Sequence, residues 1–138
     1  MKPTLDDPDP TFINSQPYCG GTILNEYTIL SAGHCSVEKG NFIVAGTIYR
    51  DPLACFESDV CQKRYIKKVI THPEYNDDLL TNDICILKLY KKLNFKKNLI
   101  GNACLPKLSF ATPSRGVVSG WGTFRYGMYR KVASINKS

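Results

Sequence analysis

No run of residues approaches the ~18 apolar positions that a helix needs to cross a bilayer, so a helical membrane span is excluded. The sequence has no C-x-x-C, no H-E-x-x-H and no paired Cys/His knuckle. A zinc site therefore lacks its usual sequence support, and neither a metal nor a cofactor is expected. No stretch combines helical periodicity with caps at both ends over three turns, so little helix is expected. There is no internal repeat, and the opening residues, Met1 to Asp7, lack the apolar stretch of a secretory leader.

What is present is ordinary for one globular domain: 138 residues, 43% hydrophobic and 22% charged. Global disorder and collagen-like repeats are ruled out, and the chain is long enough to bury a core. Eighteen Lys and Arg against twelve Asp and Glu give +6, with cations gathered at Lys63 to Lys68, Lys88 to Lys97 and Arg125 to Lys131. Because these lysines alternate with apolar residues, they read first as the solvent-facing positions of strands and loops. A polyanion site is the lesser reading, and nucleic acid is not an expected partner. Six cysteines are many for a reduced cytosolic protein and few for a scaffold that depends on disulfides.

The apolar runs are short and β-like. Thr22 to Leu24 and Tyr27 to Leu30, with Asn25-Glu26 between them, predict a hairpin of β-branched and aromatic residues. Phe42 to Tyr49, Tyr65 to Ile70 and Asp83 to Leu89 supply three more strands. In the last of these Ile84 and Ile86 face one way and Cys85, Leu87 and Leu89 the other, which predicts burial on both faces. Turn signals separate the runs: Gly40-Asn41, Asp51-Pro52, His72-Pro73 with Asn76-Asp77-Asp78, Leu105-Pro106, and Pro113 near Gly116. An all-β barrel or sandwich follows. Pro3, Pro8, Pro10 and Pro17 with Asp6, Asp7 and Asp9 mark residues 1–17 as an extended arm.

Four ordered segments carry more specific information. They are Cys19-Gly20-Gly21-Thr22 leading to Ser31-Ala32-Gly33-His34-Cys35; His72-Pro73-Glu74-Tyr75-Asn76 leading to Asn82-Asp83-Ile84; Ala103-Cys104-Leu105-Pro106; and Ser119-Gly120-Trp121-Gly122. Together they resemble the trypsin and chymotrypsin family of serine endopeptidases. The resemblance implies an antiparallel six-stranded β-barrel, the first half of a double-barrel fold. Residues 18–138 would then be a partial peptidase domain, with the first barrel running to about 106 and followed by a linker and the first strand of the second barrel. His34 matches the family's general base and Asp83 the carboxylate that orients it, in the chain order of the family's catalytic triad. His72 falls in a segment that resembles a surface loop of the family and is expected to be structural.

The resemblance also implies a Cys19–Cys35 disulfide beside the base, closing a loop of about 16 residues that contributes ~3 kcal/mol in the chain-entropy model. Cys55 and Cys61 bracket five residues and are expected to pair locally, in an insertion outside the family's common pattern. Cys85 lies in an apolar strand and is expected to be a buried free thiol. The family's cysteine at the position of Cys104 often pairs with a propeptide or with the second barrel, which leaves its partner here open.

The departures from the family pattern bear on activity. Its nucleophile lies in Gly-Asp-Ser-Gly-Gly, which does not occur among these residues, and Ser109, Ser114, Ser119 and Ser134 lack that glycine context. The activation sequence, a basic residue before Ile-Val-Gly-Gly, is absent as well. Gly33 stands where the family usually has Ala, which suggests a looser backbone beside His34.

The function implied is that of a serine endopeptidase domain acting on protein or peptide substrates, expected to be inactive as this chain because it stops before the nucleophilic serine. The alternative is a non-catalytic serine protease homologue, secreted, that binds a protease or another partner. Family and cysteine usage both point to an extracellular location. A lone first barrel would expose apolar surface and is expected to self-associate. Asn136-Lys137-Ser138 is a glycosylation sequon at the extreme end of the sequence.

Overall fold

A computed structural model describes residues 17–49 and 61–106, Gly120, and four short strands between 117 and 136. The chain divides at 104/105 into two compact units. The first contains β1 (Thr22–Asn25), β2 (Thr28–Ser31), a 3-10 turn (Gly33–Cys35), β3 (Phe42–Ala45), β4 (Gln62–Thr71) and β5 (Cys85–Leu89). The second contains β6 (Val117–Val118) paired with β9 (Ile135–Asn136), and β7 (Thr123–Arg125) paired with β8 (Met128–Tyr129), all antiparallel.

The expected hairpin is present. Thr22 pairs with Leu30 and Ile23 with Ile29, while the Asn25 side-chain oxygen accepts from the Tyr27 N–H at 3.0 Å across the turn. Asn suits this position because its short amide can replace a backbone acceptor. The sheet order is β1-β2-β5-β4-β3, five strands among the described residues, antiparallel throughout. The all-β, nearly helix-free architecture read from the sequence is the one observed, as a curled antiparallel sheet in which the described residues show five strands of the expected six-stranded barrel.

β4 curls this sheet. Its first four residues, Gln62 to Tyr65, pair with β3, and its later residues, from Ile66 on, pair with β5. The change of partner coincides with a register shift between Ile66 and Lys68, and a bulge of this kind bends a strand and increases its twist. Ile66, at the bend, is almost completely buried. It belongs to a core with Ile29, Ala45, Cys85, Leu87, Leu89, Leu93 and Ile100.

One expectation for β5 is corrected. Cys85, Leu87 and Leu89 are buried, but Ile86 and Lys88 are only partly covered, and Ile84, just before the strand, is 42% exposed. Among the described residues the side carrying Cys85, Leu87 and Leu89 is the filled one, and the other face of the strand is only partly covered.

The segment after β5 is tied to β4 by a buried amide. Gln62 Nε2 donates to the Asn94 carbonyl at 2.7 Å, and the Asn94 N–H donates to Gln62 Oε1 at 2.8 Å. Gln62 thus completes two backbone groups that would otherwise be left unpaired. The arm over residues 1–17, apart from Pro17, and Cys55 lie outside the described residues.

Ile66→Ala is expected to lower stability by about 2–5 kcal/mol, because it empties the bend of the sheet. Lys67→Ala, an exposed neighbour, should stay within about 0.5 kcal/mol. Urea denaturation of the two variants provides the comparison.

Candidate active site

The chain leaves β2 at Ser31 and enters the 3-10 turn Gly33–Cys35, which carries His34. Three local features hold that turn. Cys35 is bonded to Cys19, with Sγ atoms 2.02 Å and Cα atoms 6.1 Å apart, across a sequence separation of 16. Ser31 Oγ donates to the Gly20 carbonyl at 3.0 Å, joining the strand end to the disulfide's other arm. Gly21 must lack a side chain, since a Cβ there would come within 2.6 Å of Ile29 Cγ2.

Asp83 comes from the segment just before β5, the strand paired with β2. The Ile84 N–H donates to the Asn82 carbonyl at 2.8 Å, closing a three-residue turn centred on Asp83, and the His72 N–H donates to the Ile84 carbonyl at 3.0 Å. Asn82 has φ 51, a left-handed conformation that Asn adopts more readily than most residues. Its side-chain amide donates to the Glu74 carbonyl at 3.0 Å. Here the register of the segment before β5 aims the carboxylate.

The two residues, 49 apart in sequence, meet through both carboxylate oxygens. The His34 backbone N–H donates to Asp83 Oδ1 at 2.8 Å, and His34 Nδ1–H donates to Asp83 Oδ2 at 2.7 Å. An ionised carboxylate only accepts, so Nδ1 must carry the proton and, in the neutral ring, Nε2 is the acceptor. The His34 side chain is 53% exposed and that of Asp83 23%, so the ring's free edge is reachable from solvent while the carboxylate is partly covered. The His34 ring contact first, and then its backbone N–H, hold the Asp83 carboxyl below the ordinary carboxylate range. Partial burial opposes them and is outweighed.

Tyr75 belongs to this site, although the sequence reading gave it no role beyond its motif. A Cβ at Gly33 would lie 3.0 Å from Tyr75 Cδ2 and Cε2 and 3.2 Å from Asp83 Oδ1. The Tyr75 ring therefore packs tightly against the place of the missing methyl, and the buried Gly33 backbone is packed where a looser one was expected. The Tyr75 hydroxyl donates to Asp77 Oδ1, and this bond above all, with burial and the nearby carboxylates, pushes its pKa up to about 12. The motif Tyr75-Asn76-Asp77 and the Ala-to-Gly departure at Gly33 were the available signals, in two segments that only the fold brings together.

The other sequence candidates separate clearly. His72 Nδ1 accepts from the Glu74 N–H at 3.2 Å within its own loop, away from the Asp83 carboxylate contact. Cys85 is a buried free thiol whose Sγ–H donates to the Ala32 carbonyl at 3.3 Å, and burial pushes its pKa up. Cys104 is free and exposed. Cys61 is disulfide-bonded to a partner outside the described residues. Ser109, Ser114, Ser119 and Ser134 also lie outside them. Cys19, His34 and Cys35 bring ligand-type atoms within 4.8 Å of one another, but the two sulfurs are bonded to each other and offer no thiolate to a metal.

A curled antiparallel sheet presenting an Asp–His pair beside a disulfide is the arrangement of a chymotrypsin-like peptidase barrel. Residues 10–136 match the family model described as Trypsin, and the chain belongs to that family. It is 33% identical over 116 residues to Trypsin-1 of Astacus astacus, covering 80% of this chain and 47% of that protein. It is 34% identical over 112 residues to Venom serine protease 34 of Apis mellifera, covering 75% and 27%. With Transmembrane protease serine 11C of Mus musculus the identity is 30% over 118 residues, covering 81% and 25%. The chain thus spans about half the length of the first relative and about a quarter of the others. A solved structure described as "Structure of GrC" matches with TM-score 0.68 and 24% identity over 87% of this chain and 52% of that one, which supports the fold. Among the described residues no helix is long and apolar enough to cross a membrane.

Two outcomes are expected. In an NMR titration Asp83 should protonate below ordinary aspartates, and His34→Ala should move its midpoint back up toward ~3.9. Because the folded value is the lower one, the stability this group contributes is present above the unfolded value and lost as pH falls through the folded one. A stability-versus-pH curve should therefore be flatter at its acid end in His34→Ala. In thiol labelling under native conditions, Cys104 should react with maleimide and Cys85 only after denaturation.

Proposed function

We propose that His34 and Asp83 are the general base and the orienting acid of a serine endopeptidase that acts on protein or peptide substrates. The observation that carries this reading is the double contact of one carboxylate with the ring and the backbone of one histidine. Asp83 keeps the proton on Nδ1, so Nε2 is free to take a proton from a serine hydroxyl and later deliver it to the leaving amine. The same carboxylate stabilises the imidazolium formed between those steps. In a member of this family, replacing the orienting Asp by Asn lowers kcat about 10⁴-fold through the wrong tautomer.

The pair acts only with a nucleophile and an oxyanion hole. None of the 138 residues supplies a serine in Gly-Asp-Ser-Gly-Gly context. The residual ~10³ to 10⁴-fold catalysis left by triad deletions is attributed to the oxyanion hole and substrate binding. By this reading the 138-residue chain alone hydrolyses peptides at background, and its exposed Leu79, Leu80 and Ile84 favour self-association. The Cys19–Cys35 bond and the family support an extracellular location.

The test is capture of the native protein from its source, followed by its mass and its reaction with a serine-directed fluorophosphonate. A labelled product well above 15.5 kDa, whose labelling is lost in His34→Ala, is the expected result. A stable, unlabelled product near 15.5 kDa would overturn catalysis in favour of a binding homologue.

A further inference from the structure

The charge of this protein is distributed unevenly. All twelve Asp and Glu lie in residues 1–83, whereas residues 84–138 contain eleven Lys and Arg and no acid. The basic half of β4 and the segment after β5 then come together in space. A groove of about 390 Å³ is lined by Gly40, Lys63, Arg64, Tyr65, Tyr90 and Lys91, within the ~300–1,000 Å³ range of small-ligand sites.

The groove has a hydrogen-bonded floor and exposed charge at its rim. Arg64 Nε donates to the Lys92 carbonyl at 2.7 Å, and its Nη2 donates to Gln62 Oε1 at 2.8 Å, which pins the Tyr90–Lys92 turn to β4. The Tyr90 N–H donates to the Tyr65 carbonyl at 3.0 Å. Lys63 Nζ lies 4.4 Å from the Phe42 ring centre and 4.9 Å from that of Tyr65, so the cation and the aromatic faces form one surface.

Along the strand the charge continues. Lys67 and Lys68 are exposed, and Lys68 stands directly opposite Lys88 on β5, a like-charge pairing that costs stability in a sheet. Lys88 Nζ donates to Thr28 Oγ1 at 2.8 Å, a neutral partner. Lys67, Lys68, Lys91 and Lys92 form no salt bridge among the described residues. From Lys63 to Lys68 the strand covers roughly 17 Å, room for several anionic groups in a row.

We propose that this strip, Lys67, Lys68, Lys91 and Lys92 around the Lys63–Tyr65–Tyr90 groove, binds a sulfated polysaccharide chain. An extended polyanion neutralises lysines that form no salt bridge among the described residues, and the aromatic faces of Tyr65 and Tyr90 receive the apolar faces of sugar rings. The disulfide beside His34 requires an oxidising compartment, where sulfated glycans are the abundant polyanions. The proposal is independent of the His34–Asp83 pair, which lies in another part of the sheet.

The experiment is titration calorimetry of the 138-residue chain with a size-fractionated heparin oligosaccharide at a series of NaCl concentrations. Changing Lys67, Lys68, Lys91 and Lys92 together to Ala should weaken binding at least about tenfold and flatten the dependence of log K on log salt. Changing Lys107, Arg115, Arg130 and Lys131 to Ala removes the same charge from the second compact unit and should weaken binding no more than about twofold. If the first variant loses its native circular dichroism, Lys67→Gln with Lys68→Gln replaces it. Equal weakening by both variants would mean net charge alone and would overturn the site. Equally tight binding of desulfated heparin, or displacement of heparin by single-stranded DNA of matched charge at lower concentration, would overturn the ligand assignment.

Discussion

The carboxylate of Asp83 is the point on which this site depends. It takes one hydrogen bond from the His34 ring and one from the His34 backbone, so a single acidic group sets the tautomer, orientation and main-chain position of the histidine. Neither residue could be placed by its own segment. His34 rides on a three-residue 3-10 turn, too short to hold itself, and Asp83 sits at the centre of a tight turn before β5. The Cys19–Cys35 bond fixes the first segment, and the β2–β5 pairing, in which Ser31 faces Cys85, brings the second alongside it.

That pairing rests in turn on the core beneath it. Ile29, Leu87, Leu89 and Ile66 fill the concave side of a sheet that bends where β4 exchanges one neighbour for another. A sheet without that bend would offer no enclosed side to bury them. The convex side then becomes available for other work, and there Lys68 and Lys88 stand side by side. One curl thus separates a filled face, with the Asp–His pair at its margin, from a basic outer face.

Much of this could be read before any coordinates. The hairpin was legible because Asn25-Glu26 interrupts two β-branched runs, and the family because four short motifs occur in order. The His34–Asp83 contact was legible only through that resemblance, since nothing in local spacing joins residues 49 positions apart. What could not be read were properties of the folded surface. Alternation in 83–89 showed two apolar faces, but the curl decides which is covered. The missing methyl at Gly33 reads as a loosened backbone in sequence, but Tyr75, from a different segment, packs tightly against its place. The lysines looked like ordinary solvent-facing positions because sequence does not reveal that the turn at Tyr90–Lys92 folds back onto Lys63 and Arg64.

The proton on His34 is the most direct gauge of this arrangement. Long-range nitrogen–proton correlation spectra of the ring, recorded where it is neutral, report which nitrogen carries it. Protonation on Nδ1, with Nε2 bare and a change of tautomer in Asp83→Asn, is the result this geometry predicts. A ring protonated on Nε2, or one that exchanges between tautomers with Asp83 intact, would contradict it.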